Sequence, residues 1–179
     1  MQILVVGGGG REHAIIKSLK KNALVEKIYA LPGNGGIAKD AECFPIKAND
    51  VDGIVDFAQN HKIDFAVVAP DDPLVLGLVN RLEDLSIPCF GPRAEAAIIE
   101  GSKVFSKNLM KKYGIPTADS ETFSDPDKAI EYLKNSSYPT VIKADGLALG
   151  KGVIIAKDFD EAKQAVNDIM MDKCFGASG

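Results

Sequence analysis

The sequence predicts an α/β protein in which a parallel sheet covered by helices is followed by a smaller α+β unit. Three observations carry that expectation. Short apolar runs alternate with amphipathic stretches as far as Gly101, the run at residues 65–69 is continuous and β-branched at its centre, and beyond Gly101 the rhythm changes to helices and strands around a second glycine loop. Strand–helix–strand repetition gives parallel sheets, and a continuous apolar run suits a strand buried on both faces.

The first part reads as strands at residues 2–6, 27–31, 65–69 and 87–90, with helices at 11–21, 51–59 and 73–85. In the second part residues 102–113 form a helix with Ser102 as N-cap, stopped by Gly114-Ile-Pro116. A strand near residues 121–123 follows, then a helix capped by Asp125, strands at 140–144 and 153–156, and a last helix capped by Asp158. In that helix Phe159, Ala162, Ala165, Val166, Ile169 and Met170 share one face at three- and four-residue spacing. The expected divisions are residues 1–101, a connecting helix and linker at 102–118, and a subdomain at 119–179. The small, loop-like ending after the last helix suggests an incomplete chain.

Composition excludes several classes of function. The 179 residues are 46% hydrophobic and 26% charged, as in a globular protein with one good core or two small ones. No apolar run approaches the roughly 18 to 20 residues needed to span a bilayer, and the N-terminus is a short strand entering glycines, not a leader; a cytoplasmic protein without a membrane partner is expected. Cys43, Cys89 and Cys174 are widely spaced, and with two histidines in the chain they suggest neither a disulfide framework nor a zinc site. The net charge is −4, and residues 102–179 carry eleven lysines, no arginine and eleven acidic residues. Without a basic patch or any Trp, nucleic acid is not an expected partner.

Two glycine loops carry the candidate chemistry. Gly7-Gly-Gly-Gly10 joins the first strand to the first helix, where backbone amides can approach a phosphate unobstructed by a Cβ. A tight turn explains one or two of these glycines, and four in succession favour ligand contact. The dinucleotide fingerprint fails because Glu12 or His13 stands where its last glycine belongs, so a dehydrogenase-like domain is disfavoured. Pro32-Gly-Asn-Gly-Gly36 follows the second strand at the end where open sheets gather ligands, though such a string also marks a plain turn. After the 65–69 strand, Asp71 or Asp72 could bind substrate hydroxyls or an amine, or could cap a helix begun by Pro73.

The second loop, Asp145-Gly-Leu-Ala-Leu-Gly-Lys-Gly152, is not a P-loop: its glycine spacing is one short, and Gly152 follows Lys151 where Ser or Thr belongs. A glycine hairpin carrying a lysine can instead fold over a polyphosphate. Lys143 lies within an apolar strand, where a buried face would demand an anionic partner. Lys103, near a helix start, reads equally well as a phosphate ligand or a surface lysine. His61 reads as a solvated helix end.

Taken in order, Gly9-Gly-Arg-Glu-His-Ala14, Pro32-Gly-Asn-Gly-Gly36, Phe90-Gly-Pro92, Glu100-Gly-Ser-Lys103, Gly114-Ile-Pro-Thr117 and Ile142-Lys-Ala-Asp-Gly-Leu-Ala-Leu-Gly-Lys-Gly-Val153 closely resemble the phosphoribosylamine–glycine ligases of the ATP-grasp superfamily. The resemblance covers the whole chain. It implies a Rossmann-like domain followed by an ATP-grasp lid subdomain, and the ATP-dependent joining of glycine to 5-phosphoribosylamine through a glycyl phosphate in purine synthesis. By analogy Gly8, Gly9, Gly10, Arg11, Glu12, His13, Asn34, Pro70 and Asp71 would hold phosphoribosylamine. Lys103, Lys143, Gly146, Gly150, Lys151 and Gly152 would hold ATP.

No catalytic nucleophile is implied, and no metal ligand within the chain; Mg²⁺ or Mn²⁺ would be bound outside it. Family members carry Gly-Pro-Glu where this chain has Ala69-Pro-Asp71, one methylene shorter. The resemblance further implies a longer enzyme that also holds the adenine, metal and glycine sites, so this chain alone is expected not to catalyse ligation. The alternative is a phosphate- or nucleotide-binding module without catalysis. Oligomeric state is not legible.

Overall fold

A computed structural model of the chain describes residues 1–147 and 152–178. The chain divides into two compact units, Met1–Ile98 and Ile99–Gly179. In the first, strands β1 (Gln2–Gly7), β2 (Lys27–Pro32), β3 (Glu42–Cys43), β4 (Phe65–Val68) and β5 (Cys89–Phe90) form a parallel sheet in the order β3-β2-β1-β4-β5. The chain enters at the centre, moves outward through β2 and β3, then returns to add β4 and β5 on the other side of β1.

Both faces of the central strands are buried. Leu4, Val6, Ala66 and Val68 pack with Ile54, Phe57, Leu78 and Leu82 in one cluster, while Ile3, Val5 and Val67 pack with Ile16, Ile28 and Ile37 in another. Each fully buried Leu, Ile or Val is worth about 1.5–3 kcal/mol over an exposed one, which fixes the strand positions. The covering helices are α1 (Gly10–Leu19), α2 (Val51–Asn60), α3 (Asp71–Val75) and α4 (Leu78–Asp84), with α5 (Ala94–Gly101) running into the second unit. Asp50 caps α2 by accepting from the Gly53 amide at 3.1 Å.

Several details depart from the sequence reading. The single helix expected at 73–85 is two helices, broken where Gly77 takes a φ of +80°. The first of them begins at Asp71, with Pro70 as the N-cap residue, so Pro73 sits inside the first turn, where its missing N–H leaves no bond unmade. β3 and α5 carry no strong periodicity, and the sequence pattern predicts neither. His61 is not a solvated end: its ring stacks on Phe57 with centroids 3.7 Å apart, and its Nδ1 lies 2.9 Å from the Phe57 carbonyl oxygen.

The second unit contains α6 (Lys103–Lys112), α7 (Pro126–Leu133), the antiparallel pair β6 (Thr140–Lys143) and β7 (Val153–Ala156), and α8 (Phe159–Val166), which continues into a π-helical turn at Asn167–Met171. The three foreseen caps form: Ser102 Oγ accepts from Phe105 N at 3.0 Å, Asp125 from Asp127 N at 2.9 Å, and Asp158 from Glu161 N at 2.9 Å. The strand expected at 121–123 is absent. Phe123 instead packs against the core of Ala129, Leu133, Ala156, Ala162 and Val166, its ring centroid 5.2 Å from that of Tyr132. Among the described residues, no helix is long and apolar enough to cross a membrane.

Candidate functional site

Register brings three loops of the first unit together. Gly7 pairs with Pro32, and Val6 with Val68, so the segments leaving β1, β2 and β4 start from one edge of the sheet. The strand order reverses between β1 and β4, and open α/β sheets bind ligands outside the carboxyl ends of their strands at such a reversal.

The loops at 7–10 and 33–36 are tied to each other. Gly33 N donates to Gly7 O at 3.1 Å, and Asn34 Nδ2 donates to Gly8 O at 2.7 Å. Asn34 Oδ1 accepts from the Gly36 and Ile37 amides at 2.7 and 2.9 Å, so this one side chain organises its own turn and holds the glycine loop. His13, on the second turn of α1, faces the same turn: a Cβ placed on Gly36 would lie 3.4 Å from His13 Cε1 and 3.5 Å from Nδ1. The imidazole Nε2 lies 2.9 Å from Asp40 Oδ2, while Lys20 Nζ donates to Asp40 Oδ1 at 2.8 Å. The Lys20 and His13 hydrogen bonds pull the Asp40 carboxyl down to about 2, against a smaller opposing effect of desolvation.

Glu12 is the one buried charged side chain among the described residues of both cores. Its Oε2 accepts from Gly9 N at 2.5 Å, and its Oε1 has no hydrogen-bond partner. This carboxylate explains part of the glycine run. A Cβ on Gly7, whose φ is +126°, would lie 2.5 Å from Glu12 Cγ, one on Gly9 would lie 2.8 Å from Glu12 Oε2, and one on Gly8 would lie 2.6 Å from the Gly33 carbonyl oxygen. Gly10 alone meets nothing within 4 Å. Packing therefore accounts for three of the four glycines, more than the one or two granted to a turn.

Arg11 is exposed at the loop mouth, with no partner among the described residues. Asp71 and Asp72 stand in the first turn of α3, where neither side chain caps the helix or makes a hydrogen bond among the described residues. The capping alternative for them is thereby removed. Asp71, half-buried beside Pro70, keeps its carboxylate available.

In the second unit Asp145 does what spacing did not reveal. Its carboxylate accepts from Lys103 N at 2.7 Å, from Val104 N at 3.2 Å and from Ser102 Oγ at 3.0 Å, closing the N-terminus of α6. Lys103 Nζ donates to Gly146 O at 2.6 Å, so helix start and loop start are joined twice. Lys143 is exposed rather than buried, on the sheet face that also exposes Val141, Val153 and Ile155. No buried lysine has to be compensated. Gly152 is buried, and its carbonyl accepts from Ala144 N at 2.8 Å; Gly150 and Lys151 lie outside the described residues.

The family model described as phosphoribosylglycinamide synthetase, N domain, matches residues 1–100, and that described as the ATP-grasp (A) domain of the same synthetase matches residues 101–179. The chain belongs to the phosphoribosylglycinamide synthetase family. It is 49% identical over 179 residues to a phosphoribosylamine–glycine ligase of Caldanaerobacter subterraneus subsp. tengcongensis, covering all of this chain and 43% of that relative. The crystal structure of the phosphoribosylamine–glycine ligase of Thermotoga maritima superposes with a TM-score of 0.79 at 31% identity, over 99% of this chain and 41% of that one. The biotin carboxylase domain of the Hydrogenobacter thermophilus 2-oxoglutarate carboxylase, solved with MgADP and bicarbonate, gives a TM-score of 0.78 over 99% of this chain and 42% of that one; at 22% identity it shows the fold alone.

This member of the synthetase family thus spans less than half the length of the curated relatives it matches. Its α/β sheet unit and small antiparallel unit have ATP-grasp enzymes as structural neighbours, as the sequence implied. Spacing does not single out Asp40 or Asp145 as site residues, because each meets its partners across 20 or more positions of chain and neither pairing leaves a local spacing signal. Among the described residues, no group of three or more His, Cys, Asp or Glu could hold a metal ion.

Proposed function

We propose that these 179 residues form the N-terminal part of a phosphoribosylamine–glycine ligase, which joins glycine to 5-phosphoribosylamine with ATP and yields glycinamide ribonucleotide, ADP and phosphate. The observation that carries the reading is the convergence of the 7–10, 32–36 and 69–72 segments at the reversal of strand order. Gly10, Arg11 and Glu12 have helix-start amides without intrahelical acceptors, which suit a phosphate; Asp71 suits a ribose hydroxyl or the amine. Gly8, Gly9, Asn34 and Pro70 shape the cradle.

ATP, bound with Mg²⁺ or Mn²⁺, would supply the phosphoryl group that activates glycine. Lys103, Lys143, Gly146 and Gly152, with Gly150 and Lys151, would receive its phosphates. Lys103 is held at the loop by an exchangeable carbonyl bond, and Lys143 is exposed on a mainly apolar face, an arrangement that suits a nucleotide. The protein's part is positioning and charge neutralisation, without a covalent step through a side chain. The setting is cytoplasmic, with small molecules and not nucleic acid or membrane as partners.

Titration of the ¹⁵N-labelled chain tests the reading. Ribose 5-phosphate should shift the amides of residues 8–13, 34 and 71, and ATP those of 103, 143–147 and 152. The chain alone, given ATP, Mg²⁺, glycine and phosphoribosylamine, should release no phosphate. Shifts confined to other segments would refute the site, and glycine-dependent turnover would refute the division of labour.

A further inference from the structure

His13, Lys17 and Lys20 recur at steps of four and three along α1 and its C-cap, so they lie on one face of the helix. All three face one carboxylate. Asp40 Oδ2 lies 2.9 Å from His13 Nε2 and 3.9 Å from Lys17 Nζ, while Asp40 Oδ1 accepts from Lys20 Nζ at 2.8 Å. The bond to His13 holds in either charge state of the ring, because the imidazolium and the neutral Nε2–H form both donate from Nε2. Asp40 ends the short helical turn Ile37–Lys39, which grows directly out of the Asn34–Gly36 turn. Its side chain is 19% exposed, whereas every other acidic side chain in an ion pair among the described residues is at least 38% exposed. Exposed pairs contribute little, and a partly buried carboxylate bonded at both oxygens contributes more.

These two bonds restrain what their neighbours do not. The Gly33–Gly7 and Asn34–Gly8 hydrogen bonds join only the roots of the two loops. Ile16 seats α1 on the sheet by apolar burial, which has no direction. Bonds from His13 and Lys20 to one carboxylate, with donors about 10 Å apart along the helix axis at their backbones, fix the rotation of α1 about that axis. The same rotation sets where the open amides of Gly10 and Arg11, and the exposed Arg11 side chain, point relative to Asn34.

We infer that Asp40 is a positioning residue for the sugar-phosphate site: without touching the ligand, it clamps α1 to the 34–40 segment and so fixes the aim of the first-turn amides at the phosphate. The inference rests on the proposed function and deepens it. It gives ligand affinity, and not stability alone, to a carboxylate outside the cradle, since groups that bind a phosphate in one pose lose binding when their aim is lost.

Calorimetric titration of the full chain with ribose 5-phosphate, paired with thermal melts, separates aim from stability. Asp40→Ala should weaken binding about threefold to tenfold, the value of one hydrogen bond, and Asp40→Asn, which keeps an acceptor oxygen for His13, should recover most of the loss. Lys20→Met removes one bond of the clamp and should fall between wild type and Asp40→Ala. Ile54→Val, in the core cluster on the other face of the sheet, should lower the melting temperature without changing Kd. In ¹⁵N spectra of the free Asp40→Ala chain the Gly10 and Arg11 amides should move.

An Asp40→Ala chain that melts lower yet binds ribose 5-phosphate as tightly as wild type overturns the inference and leaves the sugar-phosphate site standing. So does an equal loss of affinity in Ile54→Val, which would make the effect one of stability. If Asp40→Ala does not fold, wild-type affinity in Lys20→Met overturns the inference by itself. Absence of binding by wild type would refute the site and the inference together.

Discussion

The four glycines after β1 are chemically identical, yet the structure gives them different reasons to be glycine, and an alanine scan separates those reasons. Gly8→Ala drives a methyl to 2.6 Å from the Gly33 carbonyl oxygen, a backbone atom held in place by the Gly33–Gly7 hydrogen bond. Overpacking of this kind costs about 1–3 kcal/mol. Gly7→Ala adds the strain of a positive φ, itself about 1–3 kcal/mol, to a clash with buried Glu12. Gly10→Ala meets nothing and stands at the first position of α1, where alanine should be neutral or stabilising by up to about 1 kcal/mol.

For a unit of this size each kcal/mol moves the midpoint by about 4–8 °C, so thermal melts followed by circular dichroism resolve the series. Gly8→Ala and Gly7→Ala should melt well below wild type, and Gly10→Ala at or above it. If Gly10 lies at the mouth of a phosphate site, its alanine should also weaken ribose 5-phosphate; a loss of about 1.4 kcal/mol reads as a tenfold higher Kd. Equal destabilisation by Gly8→Ala and Gly10→Ala would refute the packing argument. Unchanged sugar-phosphate affinity in Gly10→Ala would remove the loop mouth from the site.

Asp145→Ala removes three acceptor contacts from the start of α6 and should cost about 1–2 kcal/mol of stability, seen in urea unfolding, with Ser102→Ala costing less. Glu12→Gln keeps the shape but places an amide where Oε1 has no partner; it should lower stability without raising the affinity for ribose 5-phosphate, whereas a gain in affinity would show that the carboxylate opposes the phosphate. Asp40 has a folded pKa depressed from 3.8 to about 2, so its contribution is complete above the upper value and lost as pH falls through the lower. Acid unfolding should therefore be shallower between those values in Asp40→Asn than in wild type. Burial, helped by Glu83, raises the Cys89 thiol to about 11, so iodoacetamide at neutral pH should modify exposed Cys174 well before Cys89, as peptide mass mapping would show.

The parts of the fold that were legible are those whose cause is local. Residues 3–6 and 66–68 are apolar at every position because both sheet faces are covered, and the Ser102, Asp125 and Asp158 caps each lie within three residues of the amides they serve. Misreadings arose where a distant partner decided. Phe123 has strand character but finds the α7 side of a core instead of a neighbouring strand. The helix at 73–85 is continuous by pattern, and a single left-handed residue, Gly77, divides it. In the candidate site the glycine loops and Asn34 stand out as composition, whereas Asp40 and Asp145 are ordinary acidic residues until the fold places His13 beside one and Lys103 beside the other.

These placements change what a helix N-terminus signifies in this chain. Glycines before a helix suggest an anion site because its first amides lack acceptors. At α6 the protein's own carboxylate, Asp145, already occupies the Lys103 and Val104 amides, leaving the lysine side chain as the adaptable donor there. At α1 Glu12 takes only the Gly9 amide and leaves those further along the first turn open, with exposed Arg11 beside them. The two loops therefore suit different ligand chemistry. The first offers fixed backbone amides with one arginine, fitting a terminal phosphate bound in one pose, while the second offers side-chain cations that can exchange a carbonyl for a phosphate oxygen. That division follows from where two carboxylates sit, and it is the physical argument behind the proposal that the sugar phosphate binds at α1 and the nucleotide at α6.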